Sequence, residues 1–126
     1  MEKKERFEKI LTDLQSAEEM LAKIIFLSLQ AFARRRVSKK ELEQIYELKD
    51  RTEEILRKVI IALLEMGTED MKRELHEMGE KVVVTEEIFS VLPDKTGLNS
   101  IFNTSLAIQE SVGNLQRLIT AELSNA

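Results

Sequence analysis

Imidazole, thiolate and convergent carboxylates are the side chains that most often carry catalysis or hold a metal, and this 126-residue chain is poor in the first two. Its one histidine is His76, and it has no cysteine. That excludes disulfides, thiolate zinc sites and a cysteine nucleophile. His76 and Glu80 stand four apart in a helical pattern, a spacing that lets imidazole and carboxylate share an ion. One such pair is half a metal site, and a solvated pair on a charged face is the plainer reading. No Glu-x-x-His is present, which disfavours a di-iron site of the ferritin type. Neither a glycine-rich phosphate loop nor a Gly-x-Ser-x-Gly turn occurs. The residues therefore predict no enzyme activity.

Charge offers the next candidate. Arg34, Arg35, Arg36, Lys39 and Lys40 put five cations into seven residues. Such a cluster could hold phosphate, an acidic lipid headgroup or an acidic partner. It also has a structural use, because cations at a helix C-terminus complement the dipole by about 0.3–1 kcal/mol each. Two of the five fall instead at the N-terminus of the following helix, so capping does not explain the whole cluster.

The elements that position these residues read as four helices, about 4–35, 39–66, 69–92 and 99–123, forming an all-α antiparallel bundle and one domain over 1–126. In the first, Phe7, Ile10, Leu14, Ala17, Leu21, Ile24, Ser28, Ala31 and Phe32 follow helical spacing. Met20, Phe26, Leu27 and Leu29 add apolar surface on its other faces. A helix apolar nearly all round is central in a bundle or shared with a second subunit. Ser38-Lys39-Lys40-Glu41 is a capping box that starts the second helix. Gly67 is expected to stop it in a left-handed cap, with Thr68 as the next N-cap. In the third helix Met71, Leu75, Met78, Val82, Thr85, Phe89 and Leu92 alternate spacings of four and three, a narrow seam for one-sided packing. Val82-Val83-Val84 locally favours strand, but the surrounding period argues helix. Pro93-Asp94-Lys95-Thr96-Gly97 reads as a turn. The fourth helix presents Ile101, Ser105, Ile108, Val112, Leu115 and Ile119 on one face. From Gly97 onward only Glu110, Arg117 and Glu122 carry charge. A helix so poor in charge is partly buried or faces another protein, so a homo-oligomer is expected.

Net charge is −4, with 19 basic and 23 acidic residues intermixed, which argues against nucleic acid as a partner. The most apolar run, 20–33, is too short for a membrane span, which needs about 20 residues. No signal-peptide pattern opens the chain, so a cytoplasmic location is expected.

With the helices placed, the segment VSKKELEQIYELKDRTEEILRKVIIALLEMGTEDMKRELHEMGEKV, residues 37–82, resembles the middle of a PhoU-like domain. Glu110-Ser111-Val112-Gly113-Asn114 is similar to that family's Glu-Arg-Ile-Gly-Asp signature, keeping Glu110 and Gly113. Glu8-Lys9-Ile10-Leu11-Thr12 occupies a comparable place and keeps Glu8. Where family members use Asp for metal, this chain has Asn114 and Thr12, and the acidic motif around 74–81 also departs. The resemblance implies a regulatory domain linked to phosphate transport. Its partner would be a membrane transporter, a signalling protein or another copy of the chain. The departures imply no bound metal and no cofactor. The rival reading is a structural bundle, natural or designed, whose function is dimerisation. A metal-binding protein is the third.

Overall fold

The computed structural model describes the backbone of residues 2–34, 36–89 and 95–125, and side chains in these ranges except 82–89 and 95–96. It contains four helices: α1 Lys3–Arg34, α2 Lys39–Met66, α3 Glu69–Phe89 and α4 Lys95–Ser124. They form an all-α antiparallel four-helix bundle. Helix α1 packs on α2 and α4, and α3 packs on α4 and, over a shorter stretch, on α2. The helices thus stand at four corners in chain order, with α1 diagonal to α3. Helix α1 is a corner and not a central helix, so part of its apolar circumference has no neighbour among the described residues.

The main core is a seam from each helix. Phe7, Leu14 and Leu21 of α1 meet Leu56 and Leu63 of α2, Met71 and Met78 of α3, and Val112, Leu115 and Ile119 of α4. At the α1–α2 end of the bundle Ile24, Ile45 and Ile101 make a smaller cluster. Burying a branched aliphatic side chain stabilises by about 1.5–3 kcal/mol, which makes these seams the main force holding the helices together. Phe32, expected in the core, is 38% exposed.

The capping box forms as the spacing predicts. The Ser38 hydroxyl accepts from the Glu41 amide at 3.1 Å, and the Ser38 amide donates to the Glu41 carboxylate at 3.4 Å. Thr68 caps α3, its hydroxyl accepting from the Met71 amide at 3.3 Å. Gly67 does not adopt the expected left-handed conformation. Its φ of −79° and ψ of 162° are extended, and its amide bonds the Leu63 carbonyl at 2.7 Å. Glycine is needed there for space: a Cβ would lie 2.5 Å from that same carbonyl oxygen. With only Gly67 and Thr68 between the helices, there is no room for a fuller turn.

Helix α4 starts at Lys95, four residues before the expected start, so Lys95, Thr96 and Gly97 belong to the helix and not to a turn. Leu98, 3% exposed, explains the extension by anchoring the first turn to the core. Helix α3 runs through the three consecutive valines to Phe89 without conversion to strand. Pro93, Asp94 and Leu92 lie outside the described residues, as do the side chains that would continue the α3 seam from Val82 to Phe89.

Candidate functional site

The basic cluster sits at the α1–α2 turn, but its members are not equivalent. Arg34 is committed within the fold: its Nε donates to the Gln30 carbonyl at 3.3 Å, and its guanidinium pairs with the Glu41 carboxylate. The cap and the cation therefore share one carboxylate. The Ser38 hydroxyl holds the Glu41 carboxyl below the usual carboxylate range; desolvation opposes this, and Arg34 reinforces it. Arg36 donates its backbone amide to the Ala31 carbonyl at 3.1 Å and has an exposed side chain. Lys39 and Lys40 are exposed on the first turn of α2. Arg35 lies outside the described residues. What remains for an anion is a loose, solvent-facing group of Arg36, Lys39 and Lys40.

The positions that carry the family resemblance do not converge. Glu8 is exposed near the start of α1, and its carbonyl accepts from the Thr12 hydroxyl at 3.2 Å. Glu110 is exposed on α4. Gly113 is half-buried, and the nearest atom to a Cβ placed there would be the Arg117 guanidinium at 3.7 Å. Asn114 faces α3, where its amide donates to Glu74 Oε1 at 2.6 Å and its oxygen accepts from Arg117. An Asp at 114 would set a second carboxylate beside Glu74. The amide instead neutralises the approach with a hydrogen bond. Among the described residues no three His, Asp or Glu side chains gather as metal ligands. His76 and Glu80 do face each other at 3.3 Å, with both side chains largely exposed.

Sequence reasoning missed the polar ties between helices. Lys81 of α3 donates to the Ser111 hydroxyl at 2.9 Å and reaches the Ala107 carbonyl at 3.4 Å. Gln116 of α4 donates to Glu18 of α1 at 2.9 Å, and Arg6 of α1 pairs with Glu65 of α2 at 3.3 Å. No spacing within one helix announces such pairs, because each depends on the register between two helices. On α2, burial lowers the Lys49 pKa, but Glu53 and Asp50 outweigh it and leave the ammonium raised.

The other distinctive feature is apolar. Phe26 is 58% exposed and Leu29 47%, on a stretch of α1 without charge from Ile24 to Ala33. Beside it α4 is uncharged from Gly97 to Gln109 and exposes Leu106. A groove of about 490 Å³ lies between α1 and α2, lined by Phe26, Leu27 and Leu48 with Lys23, Glu47 and Arg51 among its polar members. No described helix is long and apolar enough to cross a membrane. Comparison with protein-family models, curated proteins and solved structures finds no match to this chain.

Proposed function

We propose that this chain is a non-enzymatic regulatory or interaction domain of PhoU-like type, linked to phosphate transport and acting through helix-face contacts. The observation that carries the reading is the uncovered apolar face of α1 beside the uncharged face of α4. A bundle whose core is already complete has no internal use for Phe26 and Leu29 in water, and exposed aromatic surface depleted of charge is characteristic of the centre of an interface. The link to phosphate rests on the resemblance of residues 37–82 and of Glu8, Glu110 and Gly113 to that family's pattern. Arg36, Lys39 and Lys40 at the α1–α2 turn would steer an acidic surface toward the domain, an effect that salt screens.

The test compares the protein with its Phe26→Glu variant as bait in native lysate at low and high phosphate. The expected result is retention of a transporter or signalling protein by the parent alone, with an amount that changes with phosphate. Retention unaffected by Phe26→Glu would remove the α1 face from the reading, and retention indifferent to phosphate would remove the transport link.

A further inference from the structure

Two large apolar side chains of α2 have no use in the bundle core. Ile61 is 68% exposed and Leu64 55%, and both lie outside the buried row of α2 that includes Leu56, Val59 and Leu63. Across the α2–α3 link they fall into a second pattern. Ile61, Leu64, Thr68, Met71, Leu75 and Met78 alternate spacings of three, four, three, four and three. That is the a/d rule of helices packed along a shared line, and its last three members are the buried seam of α3. Ile61 and Leu64 thus continue the α3 seam backward, in a register that exists only when α2 and α3 are one helix.

The link stands close to that state. The Gly67 φ of −79° is near helical values, and its amide bonds the Leu63 carbonyl, its helical partner, at 2.7 Å. Beyond it the Lys72 amide bonds the Thr68 carbonyl at 3.0 Å in the same way. The chain leaves the helix at the Gly67 ψ of 162°. A straight link would bond the amides of Thr68, Glu69, Asp70 and Met71 to the carbonyls of Leu64, Glu65, Met66 and Gly67. In the turned link one bond stands for these four, from the Met71 amide to the Thr68 hydroxyl at 3.3 Å. Glu69 and Asp70 favour the turn, since they complement the dipole at the start of α3.

We propose that the α2–α3 link is a hinge through which two copies of this chain exchange halves. In the exchanged dimer α2 and α3 form one continuous helix. The α1–α2 pair of each copy packs on the α3–α4 pair of the second copy, so every contact of α1 with α4 and of α2 with α3 is made again. Monomer and dimer then differ chiefly at the link, the condition under which short hinge loops swap. This goes beyond the helix-face reading, because it uses neither Phe26 nor the basic cluster.

The experiment unfolds the protein in urea and refolds it dilute and concentrated, since exchange requires α1 to leave α4. Dilute refolding should give the 14.5 kDa chain, and concentrated refolding should add a species of twice that mass. Gly67→Ala should shift the balance strongly to the dimer. In the turned form its Cβ lies 2.5 Å from the Leu63 carbonyl oxygen, whereas a helix interior prefers alanine to glycine. That preference is about fivefold per link, and two links make about 25-fold in association. Thr68→Pro should abolish the dimer, because Gly67 already has the extended backbone that precedes proline and a helix interior rejects it. If circular dichroism shows that this variant does not fold, inserting two glycines after Gly67 makes the same comparison. Topology is read from spin labels on Glu54→Cys with Glu80→Cys, both exposed positions, in a chain diluted with unlabelled protein. A continuous helix sets them about 39 Å apart, whereas the turned link holds them on helices about 10 Å apart. A dimer showing only the short distance would be a contact between intact bundles and would overturn the exchange. A Gly67→Ala variant that stays monomeric after concentrated refolding would overturn it equally. Neither result bears on Phe26→Glu in lysate, so the two readings fail separately.

Discussion

Asn114 shows how one side chain can replace a charge problem with a hydrogen bond. Its amide satisfies Glu74 Oε1 at 2.6 Å, while Glu74 Oε2 is buried with no hydrogen-bond partner among the described residues. Removing the donor leaves a carboxylate oxygen poorly solvated, so Asn114→Ala should cost about 1–3 kcal/mol in urea unfolding. The double variant Glu74→Leu with Asn114→Leu should recover most of that loss, because both polar partners leave together. No recovery would mean that Asn114 acts through packing. The same substitution of amide for carboxylate predicts purified protein without stoichiometric iron or zinc. Elemental analysis showing about one metal per chain, abolished by Glu110→Gln, would reverse that expectation. Gly67 and Gly113, both half-buried, respond oppositely to an added methyl. Gly67→Ala drives a Cβ to 2.5 Å from the Leu63 carbonyl oxygen and should destabilise by about 1–3 kcal/mol. Gly113→Ala meets nothing closer than 3.7 Å in a helix interior and should stabilise by about 0.5–1 kcal/mol. Thermal melts of the pair decide it, and shifts of the same sign would contradict the steric account.

At the scale of the element, the start of α2 concentrates several interactions on Glu41. It closes the capping box, takes the Arg34 guanidinium and stands in the positive field of the helix N-terminus. Ser38→Ala should cost about 1 kcal/mol through loss of the cap. The pH dependence follows from the lowered Glu41 pKa, whose first cause is the Ser38 hydroxyl. A carboxyl depressed in the folded state contributes stability above its unfolded value, and that contribution is lost as pH falls through the folded value. Glu41→Gln should therefore lower the melting temperature at neutral pH. The difference should close once the pH is below the carboxylate range, and a constant difference would show that Glu41 acts by shape and not by charge.

For the whole molecule, the distribution of charge along the bundle matters more than its net value. Arg36, Lys39 and Lys40 cluster at the α1–α2 end, outside the core. Exposed charges contribute under about 1 kcal/mol as ion pairs, but they raise encounter rates with acidic surfaces. Lys39→Glu with Lys40→Glu should leave the melting temperature nearly unchanged, since negative charge suits the first turn of α2. The same variant should weaken association with anionic vesicles or an acidic partner, and the deficit should shrink as salt is added. Association equal to the parent at low salt would reduce the cluster to a solvated helix end.

Local physics alone determined much of this molecule. Apolar spacing gave four helices and most of the core seams, because helical period and side-chain burial are written into consecutive residues. The Ser38–Glu41 and Thr68 caps were equally readable, since a cap is completed within four positions. The tertiary structure decided what depends on distance along the chain. Leu98 pulled α4 four residues earlier than its turn-like start suggested, and the two-residue α2–α3 link held Gly67 extended where a left-handed cap was expected. Glu74 found Asn114, and Lys81 found Ser111, only through the register of α3 on α4. The basic cluster was visible as a run, yet only folding revealed that Arg34 already belongs to Glu41. The apolar excess of α1 was visible too. Its consequence came from the order of helices around the core, which made α1 a corner and left Ala22, Phe26, Leu29 and Ala33 facing water.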